Sequence, residues 1–143
     1  MLLKRGLKLL SIFLISIFIV SCEGDEKMFK FEASLINDTN VYVNQPFLVL
    51  VKTTNISSSD FNYQGSSTVI GATIYLKSKD GLIINPDDVP TTNDFKQITI
   101  PAGSVIERVW SFNNQAINEP GWYDLLVTFY GQTEIIEDFI YIE

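Results

Sequence analysis

Histidine is absent from the 143 residues, and cysteine occurs once, at Cys22. Without imidazole there is no Ser-His-Asp or Cys-His constellation and none of the usual zinc sites. One thiol cannot make an internal disulfide framework. Positive charge is scarce as well: 10 Lys and Arg stand against 17 Asp and Glu, a net charge of −7. Nucleic-acid binding needs a basic stripe that displaces counterions from phosphates, so that class of partner is excluded. What the chain has in quantity is apolar: 46% hydrophobic and 13% aromatic residues supply one packed domain of this length.

The few positive charges are unevenly placed. Lys4, Arg5 and Lys8 precede an apolar run from Leu9 to Val20 that only Ser11 and Ser16 interrupt. A bilayer-spanning helix needs ~20 apolar residues, so this run is short for a permanent span and of the right length for a signal sequence. Directly after it comes Ile19-Val20-Ser21-Cys22. This tetrapeptide resembles the lipobox of bacterial lipoproteins, an aliphatic residue and two small or modest ones before an obligatory cysteine. The resemblance implies that residues 1–21 are a signal peptide removed before Cys22. It also implies a diacylglyceryl group on the Cys22 thiol and a fatty acyl chain, such as palmitate, on the new amino terminus. A thiolate is the nucleophile that attacks the lipid donor, which is why the residue is cysteine. Several acyl chains exceed the one-chain threshold for reversible binding, so the expected anchoring is stable.

Glu23-Gly24-Asp25-Glu26-Lys27 follows, and residues 22–28 read as the lipidated cysteine with an acidic tether. The cluster is similar to the surface-export signal of Bacteroidota lipoproteins; as a charge run it also fits a solvated spacer. The expected location is the outer membrane of a Gram-negative cell, with outward exposure the favoured orientation. Removing residues 1–21 takes away three positive charges and no negative one, so the balance moves from −7 to −10.

Residues 29–143 read as a single all-β domain. Phe29, Phe31, Ala33 and Leu35 alternate with Lys30, Glu32 and Ser34, the period of a half-buried strand. A short extension at Val41–Val43 is followed by strands predicted at Phe47–Thr54, Val69–Ser78, Leu82–Ile84, Gln97–Ile100, Val105–Phe112, Trp122–Tyr130 and Glu134–Ile142, with turn residues between them. Seven to eight short antiparallel strands rich in β-branched and aromatic residues are the signature of a β-sandwich. In the 122–130 segment, Tyr123, Leu125, Val127 and Phe129 form a uniformly apolar face assigned to the core. Trp122, Asp124, Leu126, Thr128 and Tyr130 then point outward.

Trp122 and Tyr130 are the candidate contacts for a ligand or partner, because sugars stack on exposed rings. Eight strand steps separate them, roughly 27 Å, so one small ligand cannot touch both. The plainer alternative is that each covers a sheet edge or packs under a loop. Trp110 is expected between the sheets with its indole N–H hydrogen-bonded, although Arg108 shares its face. The loop from Asn85 to Asp94 gathers carboxylates that calcium could use, but its spacing matches no Asp-x-Asp-x-Asp-Gly loop and Asp and Asn are ordinary turn formers. No metal site or cofactor is assigned. No carboxylate pair stands out for glycoside hydrolysis, and Ser57-Ser58-Ser59 has neither a base nor a Ser-x-x-Lys pattern, so no enzyme is expected.

Two stretches carry a family resemblance. Val49 to Ser57, a strand running into Asn55-Ile56-Ser57, resembles the opening of many bacterial Ig-like domains. Ile100-Pro101-Ala102-Gly103, then Trp110, then Glu119-Pro120-Gly121-Trp122-Tyr123 is similar to the BsuPI-like proteinase-inhibitor family. The resemblance implies an immunoglobulin-like sandwich, a strand running into Trp110, and Tyr123 pointing inward after a Pro-Gly turn. The functional expectation is an exported, lipid-anchored module of the cell envelope that binds an envelope protein, a glycan or another extracellular polymer. A protease inhibitor and a carbohydrate-binding accessory lipoprotein are the alternatives.

Overall fold

The computed structural model describes residues 26–36, 40–66, 70–87, 95–112 and 117–143. The described residues form nine antiparallel strands: β1 (Phe29–Leu35), β2 (Phe47–Asn55), β3 (Phe61–Ser66), β4 (Thr73–Ser78), β5 (Ile83–Ile84), β6 (Phe95–Ile100), β7 (Val105–Phe112), β8 (Gly121–Phe129) and β9 (Gln132–Ile142). They form a three-stranded sheet β1-β2-β7, a four-stranded sheet β5-β4-β8-β9 and a separate β3-β6 ribbon. The chain is an immunoglobulin-like β-sandwich, with one core drawn from all three.

Alternation in the sequence decides which side chains enter that core. In β2 the residues Phe47, Val49, Val51, Thr53 and Asn55 are all buried, and in β8 so are Tyr123, Leu125, Val127 and Phe129. Ile74 and Leu76 of β4, and Ile140 and Ile142 of β9, complete the inner face of the four-stranded sheet. Trp110 is 1% exposed and its Nε1–H donates to the Ala72 carbonyl at 3.1 Å, so one hydrogen bond ties the two sheets together. The Arg108 guanidinium lies 3.7 Å from the Trp110 ring centroid, which is how a charged residue shares the inward face with tryptophan. Burial lowers the Arg108 pKa and raises that of the Tyr63 phenol, and each group influences the other's ionisation.

One strand was not legible in the sequence. β3 reads Phe-Asn-Tyr-Gln-Gly-Ser, and polar residues with an internal glycine suggest a loop. Gly65 is there because a Cβ would sit 2.7 Å from the Tyr63 ring. Val41–Val43 contributes a parallel bridge from Val41 to Ile142, with Val43 N–H donating to the Glu143 carbonyl, and so covers one end of the β9 edge. β4 begins at Thr73 rather than further upstream, because Gly71 turns the backbone at φ 101°.

The two ends of the sandwich are fastened differently. At the end where β1 begins and β2 ends, Asn55 is fully buried. Its amide donates to the carbonyls of Ser59 and Ile100, and its carbonyl accepts from the N–H and hydroxyl of Ser57. Phe29 also starts there, held by a side chain 103 residues away. Gln132 accepts from the Phe29 N–H at 3.1 Å and donates to the Phe29 carbonyl at 2.6 Å, completing a backbone-like pair with an amide side chain. At the opposite end, the buried Tyr123 donates its hydroxyl to the Glu119 carbonyl at 2.8 Å, the tyrosine corner of immunoglobulin-like sandwiches.

Candidate binding surface

The outer face of the four-stranded sheet is organised in rows set by strand register. Thr73, Thr128 and Thr133 form one row, and Tyr75, Leu126 and Ile135 the next. Lys77 and Asp124 pair beyond them, and Trp122 faces Tyr141 at the far end. The third row is electrostatic. Lys79 Nζ lies 2.6 Å from Asp124 and 2.7 Å from Asp138, and the Asp138 N–H donates to Asp124 at 2.9 Å. These contacts pin a bulge in which three residues of β9 face Asp124, with Asp138 at φ 49°. The Lys79 ammonium and the Asp138 N–H hold the Asp124 carboxyl below its usual range, and both carboxylates push the Lys79 pKa up.

Trp122 is 48% exposed, with its ring tilted against Tyr141 at 5.2 Å between centroids. It walls a shallow depression of about 320 Å³ shared with Lys79, Asp80 and Glu119. That volume is at the lower limit of ~300 Å³ for small-molecule clefts. The Ser78 hydroxyl, hydrogen-bonded to Asp80, lowers that carboxyl's pKa. An aromatic wall beside ionised carboxylates can stack on an apolar ring face and accept hydrogen bonds from hydroxyl groups.

Tyr130 lies elsewhere and in a different setting. β8 ends at Phe129, and Phe129 pairs with Gln132 across a two-residue turn. Tyr130 and Gly131 have φ of 47° and 80°, positive at both central positions as a type I′ hairpin requires. The expected strand therefore stops one residue earlier, and Tyr130 does not share the outward face with Trp122. Its ring packs edge-on against Phe61 at 4.9 Å and Tyr63 at 5.1 Å while the residue remains 52% exposed. A second depression, about 560 Å³, separates this hairpin from Glu26–Met28.

Cys22 lies outside the described residues, as does most of the carboxylate-rich 85–94 loop; within it, Asp87 N–H donates to the Ser111 carbonyl. Among the described residues no group of three or more His, Cys, Asp or Glu could hold a metal ion. Sequence reasoning missed Tyr141, Ile135 and Asp80 as neighbours on the surface. Alternation places Ile135 and Tyr141 on one face of β9, but only the register across the bulge sets Tyr141 opposite Trp122.

No family model and no curated protein matches the chain. Among solved structures, the β-glucosidase of Listeria innocua in complex with laminaribiose is similar at 18% identity and a TM-score of 0.48. The match covers 80% of this chain and 16% of that one. A β-glucosidase of Erythrobacter marinus overlaps at 10% identity, with 80% and 15% coverage and a TM-score of 0.48. The chain thus spans about a sixth of the length of these enzymes, and overlap at this level bears on neither activity nor substrate.

Proposed function

We propose that this is an exported, lipid-anchored binding module of the cell envelope, held by Cys22 in the outer membrane and working by surface complementarity rather than bond-making. The observation that carries the reading is the outer face of the four-stranded sheet. There Trp122, Tyr141 and Ile135 stay about half exposed although the domain has a well-filled core. Exposed apolar side chains on a sheet face are a feature of interaction surfaces. The lipobox-like sequence supports the location, and the lack of histidine accords with a non-catalytic role.

Two experiments test the two halves of this reading. Cys22→Ser is expected to move the protein from the membrane to the soluble fraction; continued partitioning would show that the lipobox assignment is wrong. A photo-crosslinker at Ile135 in intact cells is expected to give one discrete adduct that the Leu126→Lys variant loses. Absence of both an adduct and a glycan-array signal sinks the binding assignment.

The Trp122 depression favours a second reading, a carbohydrate-binding accessory lipoprotein. It predicts a glycan-array signal that Trp122→Ala abolishes, and an empty array counts against it.

A further inference from the structure

We propose that the end of the sandwich formed by Met28, Ile56 and the Tyr130–Gly131 turn rests on the bilayer, and that the Trp122–Tyr141 end projects away from it. The inference rests on anchoring through Cys22 and adds to it a defined membrane-facing surface.

Four residue steps connect Cys22 to Glu26, and a fully extended chain gains at most ~3.6 Å per residue, so the Cys22 backbone lies within about 14 Å of Glu26. From Glu26 onward the path is fastened. Lys27 Nζ is 2.9 Å from Glu134, Ile56 N–H donates to the Met28 carbonyl at 2.9 Å, and Gln132 grips both backbone groups of Phe29. The tether therefore leaves the domain beside the β8–β9 turn. Trp122 stands seven strand steps from the end of β8, roughly 23 Å, which exceeds the slack.

A tether of that length would also let the domain lie on either sheet, but among the described residues each outer face holds two ion pairs where the tether end holds Lys27–Glu134. The three-stranded sheet presents the ion pairs Lys30–Glu32 and Lys52–Glu107 on its outer face. The four-stranded sheet presents Lys79 with Asp124 and Asp138. Pressing either face into headgroups would strip water from these charges, and the acidic domain gains nothing from an anionic surface. The tether end, beside its Lys27–Glu134 pair, exposes Met28, Ile56 and Tyr130 at 39%, 51% and 52%, and Val105 opposite Thr54. A phenol with an apolar body and a polar tip suits the boundary between acyl chain and water.

Native tryptophans allow a direct test, because Trp110 is buried and Trp122 is half exposed. The full lipidated protein is reconstituted into phosphatidylcholine–phosphatidylglycerol vesicles carrying brominated acyl chains. Flotation with the vesicles tests the anchoring itself, and protein left at the bottom of the gradient overturns both claims. In floated protein, Trp122 emission is expected to be untouched by the bromolipid and as accessible to acrylamide as in detergent. In a Trp122→Phe background, Tyr130→Trp and, separately, Ile56→Trp are expected to lose emission to the bromolipid and to become shielded from acrylamide. The two variants probe the same surface, so misfolding of one leaves the other as readout. Bromolipid quenching of Trp122, equal to or greater than at positions 56 and 130, overturns the proposed orientation while leaving the anchor intact.

Discussion

Tyr130 and Trp122 bracket the same strand and are almost equally exposed, at 52% and 48%, yet they belong to different environments. Tyr130 sits in a left-handed turn with Phe61, Tyr63 and Phe129 around its ring, at the end where β1 begins. Trp122 has one aromatic neighbour, Tyr141, and otherwise faces a depression with ionised carboxylates. Exposure alone would rank the two as equivalent contacts. Their neighbours separate a residue that helps to hold the fold together from one that is free to meet something else.

The strongest challenge to this contrast is removal of the buried hub at the Tyr130 end. Asn55→Ala strips side-chain hydrogen bonds from Ser57 and Ser59 and removes the buried one to the Ile100 carbonyl. Urea unfolding is expected to show a loss of about 3 kcal/mol; a loss below ~1 kcal/mol means the loop reorganises and the end is not rigidly fastened. At the Trp122 end, Tyr123→Phe deletes only the hydroxyl held by Glu119, and a loss of about 1–2 kcal/mol is expected in the same assay. The direct comparison is smaller. Tyr130→Ala should cost about 1–2 kcal/mol through lost ring packing, and Trp122→Ala about 0.5 kcal/mol; equal values would erase the distinction.

The smallest expected effect is on the pH profile. Asp124 and Asp80 are held below their ordinary value of 3.8, so what they add to stability is fully present above that value. It fades as pH falls from there through their lowered folded values. Lys79 has a raised pKa, so its share persists until pH climbs beyond its ordinary 10.5. Thermal melts should therefore be flat from about pH 5 to 9 and decline under acid, with Lys79→Met weakening the decline. An unchanged acid limb in that variant would show that the Lys79 pairs are screened by solvent.

How much of this could be read beforehand follows from the range of each interaction. β8 was legible because period-two alternation is a local signal, and its inward set agrees residue for residue with the buried one, while β2 was legible as a continuous apolar run from Phe47 to Val51. β3 was not, because Asn62, Gln64 and Gly65 dilute the pattern and its pairing with β6 lies far along the chain. Tyr130 was read as the last residue of a strand because tyrosine is uncommon at positive φ; Gly131 beside it was the available hint. Arg108 obscured the inward face of β7 until its stacking on Trp110 accounted for it. The Gln132 clamp on Phe29 spans 103 residues, and no local pattern announces it.

That clamp also has a mechanical meaning. If the module is pulled between its lipid and something bound near Trp122, the load enters at Phe29 and runs along the strand direction. The seven register pairs of β1 with β2 carry hydrogen bonds across that direction, so they are loaded in parallel, as a lap joint is, rather than opened one after another. Gln132 and the Lys27–Glu134 pair add a lateral clasp where peeling would otherwise begin. On the proposed anchoring, the fold resists detachment from the Phe29 end.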